Sequence, residues 1–174
     1  IMRLYINLVF TVLFLSLFSF SLKAEITLNE LIFDNSKTFN LKILDAIPDA
    51  GKIQVGPDNA KNTIIEFFDY FCGYCKKIHS ELIELAESRD DVRVIFLQHP
   101  ILNESSHVIA KIAIAANMQG KGYDFHDSIF TLKGSITTKK LEESIEKLDI
   151  NEVQLKIDMD KDEVKKIIKI SSFL

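Results

Sequence analysis

A short apolar run followed at once by two closely spaced cysteines is the feature that most constrains how this chain can fold. Residues 62–69 place apolar side chains on both faces of a strand, as expected for a central strand buried under helices, and a helical period begins at Gly73. Cys72 and Cys75, the only cysteines of the 174-residue chain, lie at that change of period. A disulfide between them would close a very short loop and would constrain the unfolded chain very little. The pair therefore indicates redox chemistry rather than a structural cross-link.

The pattern on either side of the cysteines predicts an α/β fold. The helical period continues to Ser88, and a second strand-like run covers residues 92–97. The unit 62–97 is thus predicted to be β-α-β, with parallel strands and a right-handed crossover. Residues from about 104 to 170 have only helical patterns and are predicted to be a helical insertion after the second strand. Its helices are predicted over Glu104–Met118, Tyr123–Leu132 and Thr138–Leu148, followed by segments opened by Asn151 and Asp160.

The amino-terminal segment predicts export. Residues 4–22 carry no charge and are flanked by Arg3 and Lys23, and a small residue precedes Glu25. This is typical of a signal peptide cleaved after residue 24, although the run is also nearly long enough to remain as an inner-membrane anchor. Residues 1–24 are therefore predicted to be a signal peptide or anchor, residues 25–50 a helical extension and linker, and residues 51–174 the folded domain.

The charge distribution bears on the class of partner. The formal net charge is −4, and the acidic and basic residues are mixed along the predicted helices. A nucleic-acid-binding protein usually presents a basic face. Nucleic acid is therefore excluded as the expected partner.

The two cysteines are predicted to have different roles. Cys72 lies at the start of a helix, where free backbone N–H groups and the helix dipole stabilise a thiolate, and Lys76 and Lys77 add positive charge one turn later. Cys75 lies on the apolar stripe of the helix, where burial favours the protonated thiol. We therefore expect Cys72 to form the mixed disulfide with a substrate and Cys75 to resolve it.

Glu66 is the third candidate site residue. In a strand it shares a face with Ile64 and Phe68, so its carboxylate is poorly solvated and its pKa should be raised. A proton acceptor active near neutral pH could deprotonate the resolving cysteine. The alternative is that Glu66 lies at a sheet edge and is simply solvated.

A zinc site is the other use of two cysteines at this spacing. Histidines that could join Cys72 and Cys75 as ligands are His79, His99, His107 and His126. The histidines do not form a second closely spaced pair, and the cysteines open a helix after a strand, which favours a redox dithiol over a metal site. His79 is expected on the helix surface beside the apolar stripe, and His126 is expected to be structural.

Residues 66–75, with the sequence EFFDYFCGYC, resemble the active-site strand and helix of bacterial DsbA-like thiol:disulfide oxidoreductases. Similar segments follow in the same order at 92–96, 100–102, 119–121 and 125–126. The resemblance implies a thioredoxin-like β-α-β core with a helical insertion, acting in the periplasm on cysteines of exported proteins without a cofactor. It also implies a membrane redox partner that resets the dithiol. The buried glutamate of the family falls on Glu66, its nucleophilic cysteine on Cys72 and its partner cysteine on Cys75.

The dipeptide between the cysteines departs from the strongest oxidases of that family. Gly73 and Tyr74 stand where those oxidases carry Pro-His, and loss of the histidine should make the disulfide less oxidising. Gly-Tyr also occurs in the related DsbC-like isomerases. The resemblance therefore favours disulfide formation but leaves isomerase or reductase activity open.

A second departure concerns proline. Thioredoxin folds place a cis-proline against the dithiol, but this chain has only Pro48, Pro57 and Pro100, and none follows the helical insertion. The expectation is that the sequence is incomplete at its carboxyl end, so that residues 51–174 form a partial thioredoxin-like domain. The last strands, the cis-proline turn and the C-terminal helix would then be missing.

Overall fold

The computed structural model describes residues 39–173 of the chain. The chain divides into two compact units at residues 44 and 45, and the fold below is that of the unit that begins at Asp45. The strands are β1 (Lys52–Val55), β2 (Asn62–Phe68) and β3 (Val92–Gln98), and a 3₁₀ turn spans Asp49–Gly51. The helices are α1 (Phe39–Ala46), α2 (Gly73–Glu87), α3 (Glu104–Met118), α4 (Gly122–Phe130), α5 (Thr138–Lys147), α6 (Glu152–Met159) and α7 (Asp162–Phe173).

The three strands form one mixed sheet in the order β1-β3-β2. Strand β2 is parallel to β3, as the β-α-β pattern predicts, and β1 is antiparallel to it. The register pairs Phe96 of β3 with Ile53 on one side and with Glu66 on the other. Because paired residues point to the same face of a sheet, these three side chains form one row across it.

The two parallel strands differ in burial, and here the structure departs from the sequence prediction. Strand β3 is central and is buried on both faces, whereas β2 lies at an edge of the sheet formed by the described residues. Residues 63–67 of β2 are only partly buried, so the prediction of a central β2 is not met within residues 39–173. Both runs place apolar side chains on both faces of a strand, and the strand pairing decides which of them is central.

The segment after β3 is helical, as predicted. The first predicted helix has the observed bounds, and the next two differ from the observed ones by one or two residues. Side chains of Asn103, Thr137 and Asn151 cap α3, α5 and α6 by accepting hydrogen bonds from backbone N–H groups. One start was wrong: Asp160 ends α6, and α7 begins at Asp162.

The main apolar core lies between one face of the sheet and the helices that follow it. Helix α2 packs on β1 and β3, and α4 packs on β1 and against α3. The core includes Ile53, Phe68 and Phe96 from the sheet and Phe125 and Ile129 from α4. This packing fixes the direction of α2 relative to the carboxyl end of β2, where the cysteines lie.

The predicted signal or anchor, residues 4–22, lies outside the described residues, as does most of the predicted extension 25–50. Within residues 39–173, every helix is too short or too polar to cross a bilayer.

Candidate active site

Cys72 occupies the amino-terminal cap of α2. The chain leaves β2 at Phe68, makes a turn closed by the Cys72 N–H donating to the Asp69 carbonyl at 2.9 Å, and enters the helix at Gly73. The Cys75 N–H donates to the Cys72 sulfur at 3.3 Å. The sulfur thus stands where a serine or aspartate oxygen usually caps a helix, and backbone N–H groups that stabilise an anion face it.

Cys75 lies one turn into the helix and is packed against the core. Burial raises the pKa of the Cys75 thiol well above its ordinary value, and a hydrogen bond with the Cys72 sulfur and the charge of Cys72 act in the same direction. Both cysteines are free thiols in this structure. Burial thus favours the protonated form of the Cys75 thiol.

The Glu66 carboxyl lies on the other side of the Cys75 thiol. Its backbone pairs with that of fully buried Phe96, and its Oε1 atom is buried without a hydrogen-bond partner. Burial raises the pKa of Glu66 to about 7, and a hydrogen bond with the Cys75 side chain partly opposes the rise. The structure thus brings the three predicted residues together in the order Cys72, Cys75, Glu66. Their catalytic role stays a prediction.

Sequence reasoning missed the buried carboxylate of Asp69, which is only 5% exposed. Its Oδ1 atom accepts hydrogen bonds from the Phe71 N–H and the Ser106 hydroxyl, each at 2.8 Å. Its Oδ2 atom accepts from the N–H groups of Ile101 at 2.9 Å and Leu102 at 3.0 Å. The available signal was an aspartate directly after a strand. An aspartate in such a position often accepts a hydrogen bond from the backbone N–H two residues later, which forms an Asx turn.

Large apolar side chains are exposed on the segment that carries the dithiol and on the loop that Asp69 joins to it. Tyr74, between the cysteines, is 83% exposed, and Phe71, Ile101 and Leu102 are also exposed. The Lys76 ammonium donates to the Leu132 carbonyl rather than to a group of the dithiol loop. The Tyr74 ring between the two cysteines is therefore exposed to solvent.

The prediction that His79 lies on the helix surface was wrong. Its side chain is 3% exposed, and its Nε2 atom lies 3.0 Å from Oδ1 of Asp127. The helical period that buries Cys75 and Ala86 also buries position 79, so the observed stripe contains His79 and leaves Ile78 exposed. His79 belongs to the core face of α2.

His126 is fully buried among aromatic rings. Its ring centroid lies 4.5 Å from those of Phe68 and Phe96 and 5.0 Å from that of His79. Its Nδ1 atom lies 3.3 Å from the Tyr70 hydroxyl. Burial, with the neighbouring His79, lowers the pKa of His126 well below its ordinary value. The ring is therefore neutral and packs as part of the core.

Metal ligation was the alternative use of these cysteines and histidines. Across residues 39–173, no group of three or more His, Cys, Asp or Glu side chains has the arrangement of a metal site. His79 and His126 instead make the contacts described above.

The peptide bonds before Pro48, Pro57 and Pro100 are trans.

Comparison with known proteins identifies this architecture. A family model described as thioredoxin matches residues 49–172. A thioredoxin-like oxidoreductase of Silicibacter pomeroyi is 31% identical, with 71% of each chain covered and a TM-score of 0.65. The thiol-disulfide exchange protein alpha-DsbA2 of Wolbachia pipientis is 26% identical, with 76% of this chain and 73% of that chain covered and a TM-score of 0.67. These similarities confirm the DsbA-like resemblance, the thioredoxin-like fold and the thiol:disulfide oxidoreductase class predicted from the sequence.

A curated relative shows the same region within a much longer protein. The Na(+)/H(+) antiporter NhaA 1 of Salinispora arenicola is 27% identical over 106 residues, which are 60% of this chain and 16% of that protein. The chain therefore matches less than a fifth of the antiporter's length.

Proposed function

The chain belongs to the thioredoxin family, and on that premise we propose that it exchanges disulfides with cysteine-containing exported proteins through Cys72, Cys75 and Glu66. The observation that carries the proposal is the position of the Cys75 thiol between the Cys72 sulfur and a carboxyl group whose pKa is raised to about 7. The favoured direction is oxidation of a substrate dithiol to a disulfide.

The first step forms a mixed disulfide at Cys72. In the oxidised protein a substrate thiolate attacks the Cys72 sulfur, the Cys72–Cys75 bond breaks, and Cys75 leaves with the electron pair. Because the pKa of the Cys75 thiol is far above neutral, this leaving sulfur takes up a proton. Glu66, which hydrogen-bonds with Cys75 and is partly protonated near pH 7, supplies it.

The second step releases the product. A second thiolate of the substrate attacks the substrate sulfur of the mixed disulfide, and Cys72 leaves as a thiolate stabilised by the N–H groups of the helix start. The substrate has then lost two electrons, and the protein holds both cysteines reduced. A membrane redox partner that accepts two electrons would restore the disulfide.

Reduction or isomerisation is the second candidate function. Tyr74 replaces the histidine of the strongest related oxidases, and its highly exposed ring lies away from the buried side of the dithiol. A less stabilised thiolate makes a disulfide a weaker oxidant. In this direction Cys72 attacks a substrate disulfide, and Cys75, deprotonated by Glu66, attacks Cys72 and releases the substrate.

The experiment is single-turnover exchange with a dithiol peptide and its disulfide, together with equilibration in glutathione buffers. We expect Cys75→Ser to accumulate a mixed disulfide at Cys72, and Cys72→Ser to form none. An adduct on Cys75, or unreactive cysteines with stoichiometric zinc in protein purified without added metal, would contradict the proposal. A reduction potential of about −120 mV would favour the oxidase, and a reduction potential of about −270 mV would favour the reductase.

The same assay tests Glu66. Glu66→Gln keeps the shape of the side chain but removes the proton exchange with Cys75, so we expect the step that uses this exchange to slow by about a hundredfold. That step is formation of the mixed disulfide in the oxidase direction and release of the substrate in the reductase direction. Glu81→Gln is the matched control, because Glu81 is an exposed glutamate on the helix that carries Cys75. An equal effect of the two substitutions would remove Glu66 from the mechanism.

Export and periplasmic location are also part of the proposal. They depend on the uncharged segment 4–22 with its basic flanks. A fusion of residues 1–50 to a reporter enzyme that is active only outside the cytoplasm would test them.

A further inference from the structure

We propose that the Asp69 carboxylate is a positioning residue that joins the loop carrying Cys72 to the loop after β3, and so holds the Cys72 sulfur against the Cys75 N–H. The inference rests on the proposed exchange chemistry and adds a residue to it. Asp69 itself contacts neither sulfur through its side chain, so it would act through the backbone that it holds.

The hydrogen bonds of Asp69 divide evenly between its two oxygens. Oδ1 holds the Phe71 N–H, next to Cys72, and the Ser106 hydroxyl in the first turn of α3. Oδ2 holds the N–H groups of Ile101 and Leu102. Each oxygen thus accepts two hydrogen bonds, which is the full accepting capacity of a carboxylate.

The backbone of Asp69 acts on the same structure. Its carbonyl accepts the Cys72 N–H at 2.9 Å, which closes the turn before the helix. A shift of residue 69 would therefore displace Cys72 relative to the Cys75 N–H, which lies 3.3 Å from the Cys72 sulfur.

Positioning and charge make opposite predictions for the stability of the Cys72 thiolate. If Asp69 matters through its charge, its removal would favour a nearby thiolate and make the disulfide more oxidising. If Asp69 matters by holding the loop, its removal would weaken the N–H contacts of the sulfur and make the disulfide less oxidising. The sign of the change thus distinguishes the two roles.

The test is the equilibrium constant for oxidising glutathione, measured for a graded set of variants. Asp69→Ala removes all four acceptor contacts, and we expect the constant to fall about tenfold, which is about 30 mV. Asp69→Asn has one oxygen and one NH₂ group and can satisfy only half of the donors, so we expect a fall of about threefold. Ser106→Ala removes one donor without changing charge, and we expect a smaller fall in the same direction.

The control is Asp90→Asn, because Asp90 is an exposed aspartate before β3, at the opposite end of the strand from Ile101. We expect the equilibrium constant of this variant for oxidising glutathione to equal that of the wild type. A rise in the constant for Asp69→Ala and Asp69→Asn would overturn the proposal in favour of a charge effect. An unchanged constant, with melting temperatures lowered equally in the oxidised and reduced states, would overturn it in favour of a purely structural role.

Two readouts keep this proposal separate from the proposed function. If Asp69→Ala fails to fold, Asp69→Asn and Ser106→Ala carry the test, since each retains part of the network. The pH midpoint of iodoacetamide reaction at Cys72 should rise in both. Failure of the wild-type protein to exchange thiols would refute the function, whereas wild-type exchange with unchanged variants would refute only the role of Asp69.

Discussion

Two carboxylates three residues apart, Glu66 inside β2 and Asp69 just beyond its end, are held in opposite ways. Each of the two Asp69 carboxylate oxygens accepts two hydrogen bonds from neutral N–H or O–H donors. Glu66 keeps one buried oxygen without a partner, and burial raises its pKa to about 7. The satisfied carboxylate stabilises a fixed loop, whereas the unsatisfied one is prepared to exchange a proton.

The difference comes from the backbone around each residue. Glu66 projects from the middle of β2, where its carboxyl interacts with the Cys75 thiol and burial raises its pKa. Beyond β2 two loops meet, and their free N–H groups converge on Asp69. A carboxyl group at the end of a strand can thus gain donors that a carboxyl group within the strand cannot.

The largest expected effect on stability is that of Asp69→Ala. Its removal leaves buried donors without acceptors, so we expect the free energy of unfolding to fall by about 3 kcal/mol. Chemical denaturation of the reduced protein at pH 7 measures this. Glu66→Ala is the comparison, and a loss as large at Glu66 would remove the distinction between the two carboxylates.

The pH dependence of stability should come from Glu66. Its pKa is higher in the folded protein, about 7, than the ordinary 4.5, so the folded state binds the proton more tightly. The free energy of unfolding should therefore fall as the pH rises from about 4.5 to about 7. Because Glu66 is only partly buried, we expect a fall of about 1.5 kcal/mol rather than the full linkage value. Glu66→Gln should abolish it, and identical pH profiles for the variant and wild type would show that Glu66 is solvated.

The smallest expected effect is that of Ser106→Ala. It removes one hydrogen bond to Oδ1 of Asp69, so we expect a loss of about 1 kcal/mol in the free energy of unfolding. The loss should be the same at pH 5 and pH 7, because the Ser106 hydroxyl does not titrate in this range. A pH-dependent loss would show that Ser106 is coupled to Glu66 and would contradict the distinction between the two carboxylates.

Much of the fold was predictable because the relevant signals are local. The strand run at 62–68, the helix from Gly73 and the insertion from Glu104 follow from periodicity and capping residues. The exposed or buried state of single positions was harder to predict. His79 was predicted to lie on the helix surface beside the apolar stripe, although its helical position places it in line with Cys75 and Ala86 and it is buried.

The sequence by itself determined that a dithiol lies at a strand-to-helix junction, because the spacing of the cysteines and the change of period are properties of neighbouring residues. Tertiary structure alone decided that β3 rather than β2 is central in the described sheet, and that the N–H groups of Ile101 and Leu102 meet Asp69. These contacts join residues more than thirty positions apart. Their physical origin is the packing of two loops at one end of a sheet, which no local pattern of residues encodes.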